Sequence, residues 1–406
     1  MLNDPSVSAI LLAPDADGLR PVYRMPAVRR LVILLRRAGI RRIHIIGCTG
    51  PFVPVLSDLL AAEFFHPVEE STSLEKLLKG PPFDANGVFL AMRGDLVLDG
   101  DSVQNIAMEA GKGQPLFMPG ESGVRADGLY AAGSKDIVQV LQTLWSPESY
   151  PFPPVSGHRM IQGPPGLPCR AGAEAQAGSC PEAGLVRSLG RQTEADDGFM
   201  ARHVDRRISR FFSSRLAHTV ISPNQITIAG MTIGLAGAFF LSLPGYWAEV
   251  FGALLFVFCV VVDGVDGEVA RLKLMETPFG HTLDIVTDNI VNVAVFLCIA
   301  VGLYRHTGNP LYMHALLFLM GGFALAAVAV YCCILKRSPG EIRQSSRSFR
   351  VMALMANRDF AYLVLLFAAF HRIDWFLLAA SAGTYLFAAL LFVLRLVEFR
   401  PAAERG

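Results

Sequence analysis

Residues 263–288 read DGVDGEVARLKLMETPFGHTLDIVTD, and apolar runs long enough to cross a bilayer flank this stretch on both sides. Four of its residues are aspartates: Asp263, Asp266, Asp284 and Asp288. Ionised carboxylates are costly near hydrocarbon, so several of them in membrane segments point to a use. Spacings of three and four put each pair on one face of a helix. Two such helices facing each other would gather four carboxylates about one point. Hard divalent cations with oxygen ligands are the natural counter-charge there. A polar patch lining a water-filled cavity or an ion pathway is the alternative that the residues alone leave open.

Composition sets the frame around this stretch. The chain has 406 residues, 52% hydrophobic and 17% charged, with mean hydropathy +0.41. That is too apolar for an ordinary soluble protein and too charged for one wholly embedded in a membrane. A net charge of +1 argues against nucleic acid as a main partner. Seven cysteines without a C-x-x-C pair argue against structural zinc and a disulfide framework, and fit a reducing compartment. The first residues, MLNDPSVSAILLAPDADG, lack the basic and long apolar regions of a cleavable signal.

Hydropathy divides the chain near residue 195. Downstream, the pattern predicts an α-helical integral membrane domain over 223–400 with six transmembrane helices, at about 223–242, 247–270, 279–303, 311–335, 359–372 and 374–396. The fifth, RDFAYLVLLFAAFHRI, is short. Between the fourth and fifth lie Lys336, Arg337, Arg343, Arg347, Arg350 and Arg358, whereas the alternate loops carry few positive charges. The positive-inside rule then puts that loop, the N-terminal half, the aspartates and the C-terminus in the cytoplasm. Residues 196–222 predict an amphipathic juxtamembrane helix on the membrane surface. Met200, Val204, Ile208, Phe211 and Phe212 form its apolar stripe, Arg202, Arg206, Arg207, Arg210 and Arg215 are basic, and Asp196 and Asp197 are placed to cap it. Ser222-Pro223-Asn224 supplies a break and a cap before the first span. Residues 151–195, rich in proline, glycine and alanine, read as a linker.

The N-terminal part, residues 1–150, predicts a soluble α/β (Rossmann-like) domain. SAILLA and RRIHIIG are buried strands, MPAVRRLVILLRRAGI is an amphipathic helix between them, and GVFLAMRGDLVLD and GLYAAG are further strands. A βαβ order with continuously apolar strands favours a parallel sheet covered by helices.

Written as a pattern, the aspartate stretch is D-x-x-D-G-x-x-A-R-x8-G-x3-D-x3-D, filled by Asp263, Asp266, Gly267, Ala270, Arg271, Gly280, Asp284 and Asp288. It resembles the signature of the CDP-alcohol phosphotransferases, with every signature position occupied. The resemblance implies a membrane transferase that moves a substituted phosphate from a CDP-alcohol (CDP-diacylglycerol or CDP-inositol) to an alcohol acceptor such as an inositol phosphate or glycerol phosphate. CMP is the other product, and the setting is phospholipid or phosphodiester biosynthesis. It implies two Mg²⁺ or Mn²⁺ ions held by Asp263, Asp266, Asp284 and Asp288, with Asp263 and Asp284 bridging and Asp288 as general base. Gly267, Ala270, Arg271 and Gly280 would face the CDP moiety, joined by Asn224 and Thr227. Close helix packing and interfacial snorkelling are the alternative roles for the glycines and for Arg271. Arg343 and Arg347 are candidates for binding a phosphorylated acceptor. The resemblance also implies a homodimer in a bacterial or archaeal-type cell membrane. The alternatives are a divalent-cation transporter using the aspartates, or a di-inositol phosphate synthase with an active cytidylyltransferase domain.

A second resemblance covers the N-terminal domain. AILLAPDADGLRPVYRMP, LLRRAGIRRIHIIG and FLAMRGDLVLD, in that order, are similar to the sugar-phosphate nucleotidyltransferases, and Asp95 matches that family's metal-binding aspartate. The triphosphate loop departs from the family's pattern. Pro14 to Arg20 contains one glycine where several belong, and Arg24-Met25-Pro26 stands where a lysine is expected. The expectation is a degenerate nucleotidyltransferase-like domain with a structural or regulatory role.

Overall fold

The computed structural model describes residues 7–13, 15–47, 49–68, 77, 88–112, 115–119, 129–133, 136–145, 159–161, 167, 169–171, 181–193, 205–330 and 360–398. They fall into two compact units, Met1–Gln192 with Arg271–Leu274, and Thr193–Ala270 with Met275–Gly406.

The first unit is built on a seven-stranded sheet: β1 (Val7–Ala13), β2 (Arg42–Gly47), β3 (Phe65–Pro67), β4 (Val88–Arg93), β5 (Leu116–Met118), β6 (Leu129–Gly133) and β7 (Arg159–Met160). Their spatial order is β7-β5-β6-β4-β1-β2-β3. Strand β1 is buried along its whole length because both faces of the sheet are covered. Ala9 and Leu11 point to one face, where α1 (Ala27–Arg37) and α2 (Gly100–Ala110) supply Leu31, Leu35, Val103 and Ile106. Ile10 and Leu12 point to the other, where α3 (Ile137–Trp145) supplies Ile137, Leu141 and Leu144.

Two expectations change here. The sheet is mixed, because β6 runs antiparallel to both β4 and β5. Residues 151–195 are more than a linker: β7 extends the sheet, Cys169–Arg170 pairs with Leu96–Val97, and α4 (Pro181–Thr193) buries Leu185 and Leu189.

The second unit begins with α5 (Arg206–Leu216), followed by α6 (Pro223–Leu241), α7 (Tyr246–Lys273), α8 (Pro278–Thr307), α9 (Leu311–Val330), α10 (Phe360–Ala369) and α11 (Ile373–Glu398). Five of these helices, α6 to α9 and α11, are long and apolar enough to cross a membrane. The fifth predicted span appears as α10, whose ten residues rise about 15 Å, half of a ~30 Å hydrocarbon layer. The basic loop 336–358 and the Asp196-Asp197 cap lie outside the described residues.

Helix α6 starts with a capping box, Ser222 and Gln225 satisfying each other's backbone N–H, with Pro223 at the first helical position. It then packs through small residues. A Cβ on Gly234 would lie 2.6 Å from Val291 Cγ1 of α8 and 2.8 Å from Cys259 Sγ of α7. Small residues at such contacts let membrane helices approach closely where no hydrophobic drive exists. Phe296 of α8 stacks between Phe360 and Phe376 at the centre of the bundle. At one end, His371 meets Glu249 at 2.8 Å, and Tyr246, Trp247, Phe370 and Trp375 form an exposed aromatic rim. The aspartates lie toward the other end, Asp263 some 17 residues up α7 from Tyr246, a rise of about 26 Å.

In the first unit His44 of β2 is buried and its Nδ1 lies 3.0 Å from His66 Nε2 of β3. Burial, reinforced by His66 and Arg42, pushes His44 down to about 4 from 6.5. As pH falls, the unfolded chain takes up this proton first. The stabilisation is therefore complete above about 6.5 and lost as pH falls toward 4, on the order of 3 kcal/mol. Urea unfolding followed through Trp145, with Trp247 and Trp375 replaced by phenylalanine, is expected to show that slope, and His44→Phe to flatten it.

Candidate metal centre in the helix bundle

The candidate site forms where three helical stripes face one another. On α7, Asp263, Gly267, Ala270 and Arg271 recur at i, i+4, i+7 and i+8, which is one face. On α8, Gly280, Asp284, Thr287, Asp288 and Val291 do the same. Helix α6 contributes Asn224, Thr227 and Gly230 from its first two turns. The link between the aspartate helices is short. Helix α7 closes with Met275 N–H donating to Ala270 O at 2.8 Å and Leu274 N–H to Arg271 O at 3.2 Å, with Leu274 at φ 55°. This is a Schellman-type stop with leucine in the left-handed position that usually holds glycine. Thr277 then caps α8 by accepting from Gly280 N–H at 3.0 Å.

Carboxylate oxygens of Asp263, Asp284 and Asp288 all lie within 4.8 Å of one another. Asp263 and Asp288 also line a small cleft with Thr227, Gly230, Thr287 and Val291. Asp266 is not in that trio. It is buried on α7 and accepts a hydrogen bond from Thr227 Oγ1, which orients its carboxylate from the neighbouring helix. Asn224 reaches Gly280: a Cβ on that glycine would sit 3.1 Å from both Asn224 Oδ1 and Thr277 Oγ1. Gly280 thus lets the starts of α6 and α8 meet. Gly267, Ala270 and Arg271 are half-buried, one to two turns further along α7. Arg343 and Arg347 lie outside the described residues.

The donor set fits divalent cations. Three carboxylates at this separation repel one another strongly in a low-dielectric setting, and hard oxygen donors are what Mg²⁺ and Mn²⁺ select. One oxygen of Asp284, Oδ1, is buried and has no hydrogen-bond partner among the described residues. A buried anionic oxygen without a donor is costly, and a cation satisfies it.

Two groups escaped the reading of the sequence. Thr287, buried and lining the cleft, uses its hydroxyl on Leu283 O and Asp284 O of its own helix. Its signal was a hydroxyl beside Asp288 on the aspartate face. Glu268, buried on α7, accepts from α5. Its signal was an acid two residues past Asp266, off the aspartate stripe.

The N-terminal unit has its own acidic group, with oxygens of Asp15, Asp17 and Asp95 within 4.8 Å of one another. Arg93 offsets part of its charge from inside, through Nε to Asp95 at 3.1 Å and Nη2 to Asp15 at 2.9 Å. The loop lies down on its own chain: a Cβ on Gly18 would sit 2.9 Å from Phe52 and 3.0 Å from Gly94 O.

Residues 220–397 match the family model described as CDP-alcohol phosphatidyltransferase. The chain is similar to the bifunctional IPC transferase and DIPP synthase of Aquifex aeolicus, 35% identical over 107 residues, which are 26% of this chain and 24% of that protein. The corresponding protein of Thermococcus kodakarensis is 34% identical over 140 residues, 34% of this chain and 30% of that one. Phosphatidylinositol phosphate synthase of Corynebacterium glutamicum is 38% identical over 78 residues, 19% of this chain and 34% of that one. The aligned stretches thus span about a quarter to a third of these relatives' lengths. Among solved structures, phosphatidylinositol phosphate synthase of Mycobacterium tuberculosis with CDP-DAG bound aligns at 22% identity, over 47% of this chain and 91% of that one, with TM-score 0.31.

Thr227→Val keeps the side-chain shape but removes the donor to Asp266. Loss of such a supporting hydrogen bond typically weakens metal affinity by about 10-fold or more. Mn²⁺ titration followed by electron paramagnetic resonance is expected to show that weakening, and unchanged affinity would detach Asp266 from the site.

Proposed function

We propose that this chain, whose residues 220–397 match the CDP-alcohol phosphatidyltransferase family, transfers a substituted phosphate group from a CDP-alcohol to an alcohol acceptor and releases CMP. The observation that carries this reading is the convergence of Asp263, Asp284 and Asp288 beside a cleft inside the matched domain.

In the reaction, the acceptor hydroxyl oxygen bonds to the phosphorus that bears the alcohol substituent. The bond from that phosphorus to the bridging oxygen breaks, and CMP leaves with the electron pair. Two divalent cations held by Asp263, Asp266, Asp284 and Asp288 would neutralise charge on the phosphoryl oxygens and the leaving phosphate. Asp288, on the cleft wall, takes the acceptor's proton as general base. Thr227 holds Asp266 in position. Gly267, Ala270 and Arg271 extend the aspartate stripe toward the end of α7, where the CDP moiety would lie with Arg271 on its diphosphate. Asn224 and Gly280 would border it from α6 and α8. Arg343 and Arg347 are assigned to the phosphate of the acceptor.

Relatives named phosphatidylinositol phosphate synthase and IPC transferase and DIPP synthase support an inositol phosphate as acceptor. The donor is CDP-diacylglycerol or CDP-inositol. The internal ion pairs of Arg93 and the packed-down loop at Gly18 favour CDP-diacylglycerol, because making CDP-inositol in the same chain needs a working nucleotidyltransferase. We take α10 as part of a sixth span. An even number of crossings brings residues 1–222, the aspartate ends of α7 and α8 and the C-terminus to one side, the cytoplasmic one by the positive-inside rule.

Purified chain given labelled CDP-diacylglycerol or CDP-inositol, an acceptor panel and Mg²⁺ or Mn²⁺ is expected to release CMP with one pairing. No metal-dependent CMP from any pairing would remove this function. Asp288→Asn is expected to cut turnover by about 10²–10⁴-fold while retaining nucleotide binding; full activity would remove its role as base. The same chain given CTP and a panel of sugar and inositol phosphates is expected to yield no pyrophosphate.

A further inference from the structure

Helix α5 turns its polar face inward. Ser209 and Ser213, four residues apart and so on one face, are both buried, whereas Phe211 is 54% exposed and Ile208 and Phe212 are also exposed. The two serines meet one side chain, Glu268 of α7. Its Oε1 accepts from Ser209 Oγ at 2.9 Å and from Arg206 Nη1 at 3.0 Å, and its Oε2 from Ser213 Oγ at 2.7 Å. Gly264, one turn before Glu268, lies at this contact: a Cβ there would meet Ser209 Cβ at 3.8 Å, an ordinary van der Waals distance. The start of α5 is tied to a second place in the bundle, where Tyr362 of α10 donates to Asp205.

Glu268 stands two residues after Asp266, about 200° around α7. Helix α7 is therefore held from two directions, by Thr227 on one side and by α5 on the other. A buried carboxylate is retained at low cost only when its oxygens are matched by donors. Serine is otherwise an indifferent residue inside a helix. The arrangement fixes the rotation of α7 about its axis, and that rotation decides where Asp263 and Asp266 point.

We infer that Glu268 is a positioning residue: with Ser209, Ser213 and Arg206 it locks α5 to α7 and sets the aspartates for divalent-cation binding. The inference rests on the metal reading of the aspartate cluster. Its residues are separate from that cluster, so the two can fail separately.

The test uses full-length chain in lipid nanodiscs, with Mn²⁺ as the probe. Mn²⁺ affinity by paramagnetic resonance and thermal unfolding are measured for wild type, Glu268→Gln and the double variant Ser209→Ala with Ser213→Ala. The serine pair is the safer variant, since alanine keeps the helix and removes two hydroxyls. Mn²⁺ affinity is expected to fall by about 10-fold in both, as for other groups that orient ligands indirectly, including where the melting temperature is nearly that of wild type. A lowered melting temperature with wild-type Mn²⁺ affinity in the serine pair would make the network only a structural brace and overturn the inference. Absence of Mn²⁺ binding by the wild-type chain would overturn the metal reading, and this inference with it.

Discussion

Three carboxylates whose oxygens lie within 4.8 Å of one another, at the meeting of α6, α7 and α8, are the constraint to which the membrane unit is fitted. Such a group repels itself at short range unless positive charge enters. Thr227 attends to Asp266, Thr287 spends its hydroxyl on its own backbone, and Asp284 Oδ1 has no donor among the described residues. A hard divalent cation fits such an all-oxygen donor set.

Holding the three stripes in register is a packing problem, solved by small residues and end caps. Gly234 admits Val291 and Cys259, so α6 lies close against both aspartate helices. Gly280 admits Asn224 where α6 and α8 begin, and capping at Ser222 and Thr277 sets where those helices start. A four-residue link from Leu274 to Thr277, with a left-handed leucine, keeps α7 and α8 adjacent. Carboxylates on two long, closely packed helices move less than they would on loops, and electrostatic stabilisation of phosphoryl transfer depends on such preorganisation.

Much of this was legible in the chain. The three- and four-residue aspartate spacings and the cap at Ser222 are short-range patterns, and a helix translates them directly into faces and ends. What required three dimensions was the partnering of residues far apart. Asp266 shares the spacing of the other three, but that Thr227, 39 positions away, donates to it is not written in the local pattern. The orientation of α5 was also hidden. Its apolar stripe was legible, but that its serines face inward depends on Glu268, more than fifty residues downstream. In the N-terminal unit the buried strands were plain from their apolar runs. The reversed direction of β6 was not, because a strand covered on both faces reads alike in either direction. Helix α10 marks another limit: ten apolar residues look like a span or a core helix equally well.

The central claim is that Asp263, Asp284 and Asp288, with Asp266 beside them, assemble a site for a pair of divalent ions. The most direct test is the number and mutual distance of Mn²⁺ ions bound per chain in nanodiscs, from paramagnetic resonance with and without replacement of Asp263 and Asp284 by asparagine. The account predicts two ions per chain with the magnetic coupling of centres about 4 Å apart, lost in the variant. No bound Mn²⁺, or uncoupled ions that survive both replacements, would contradict it.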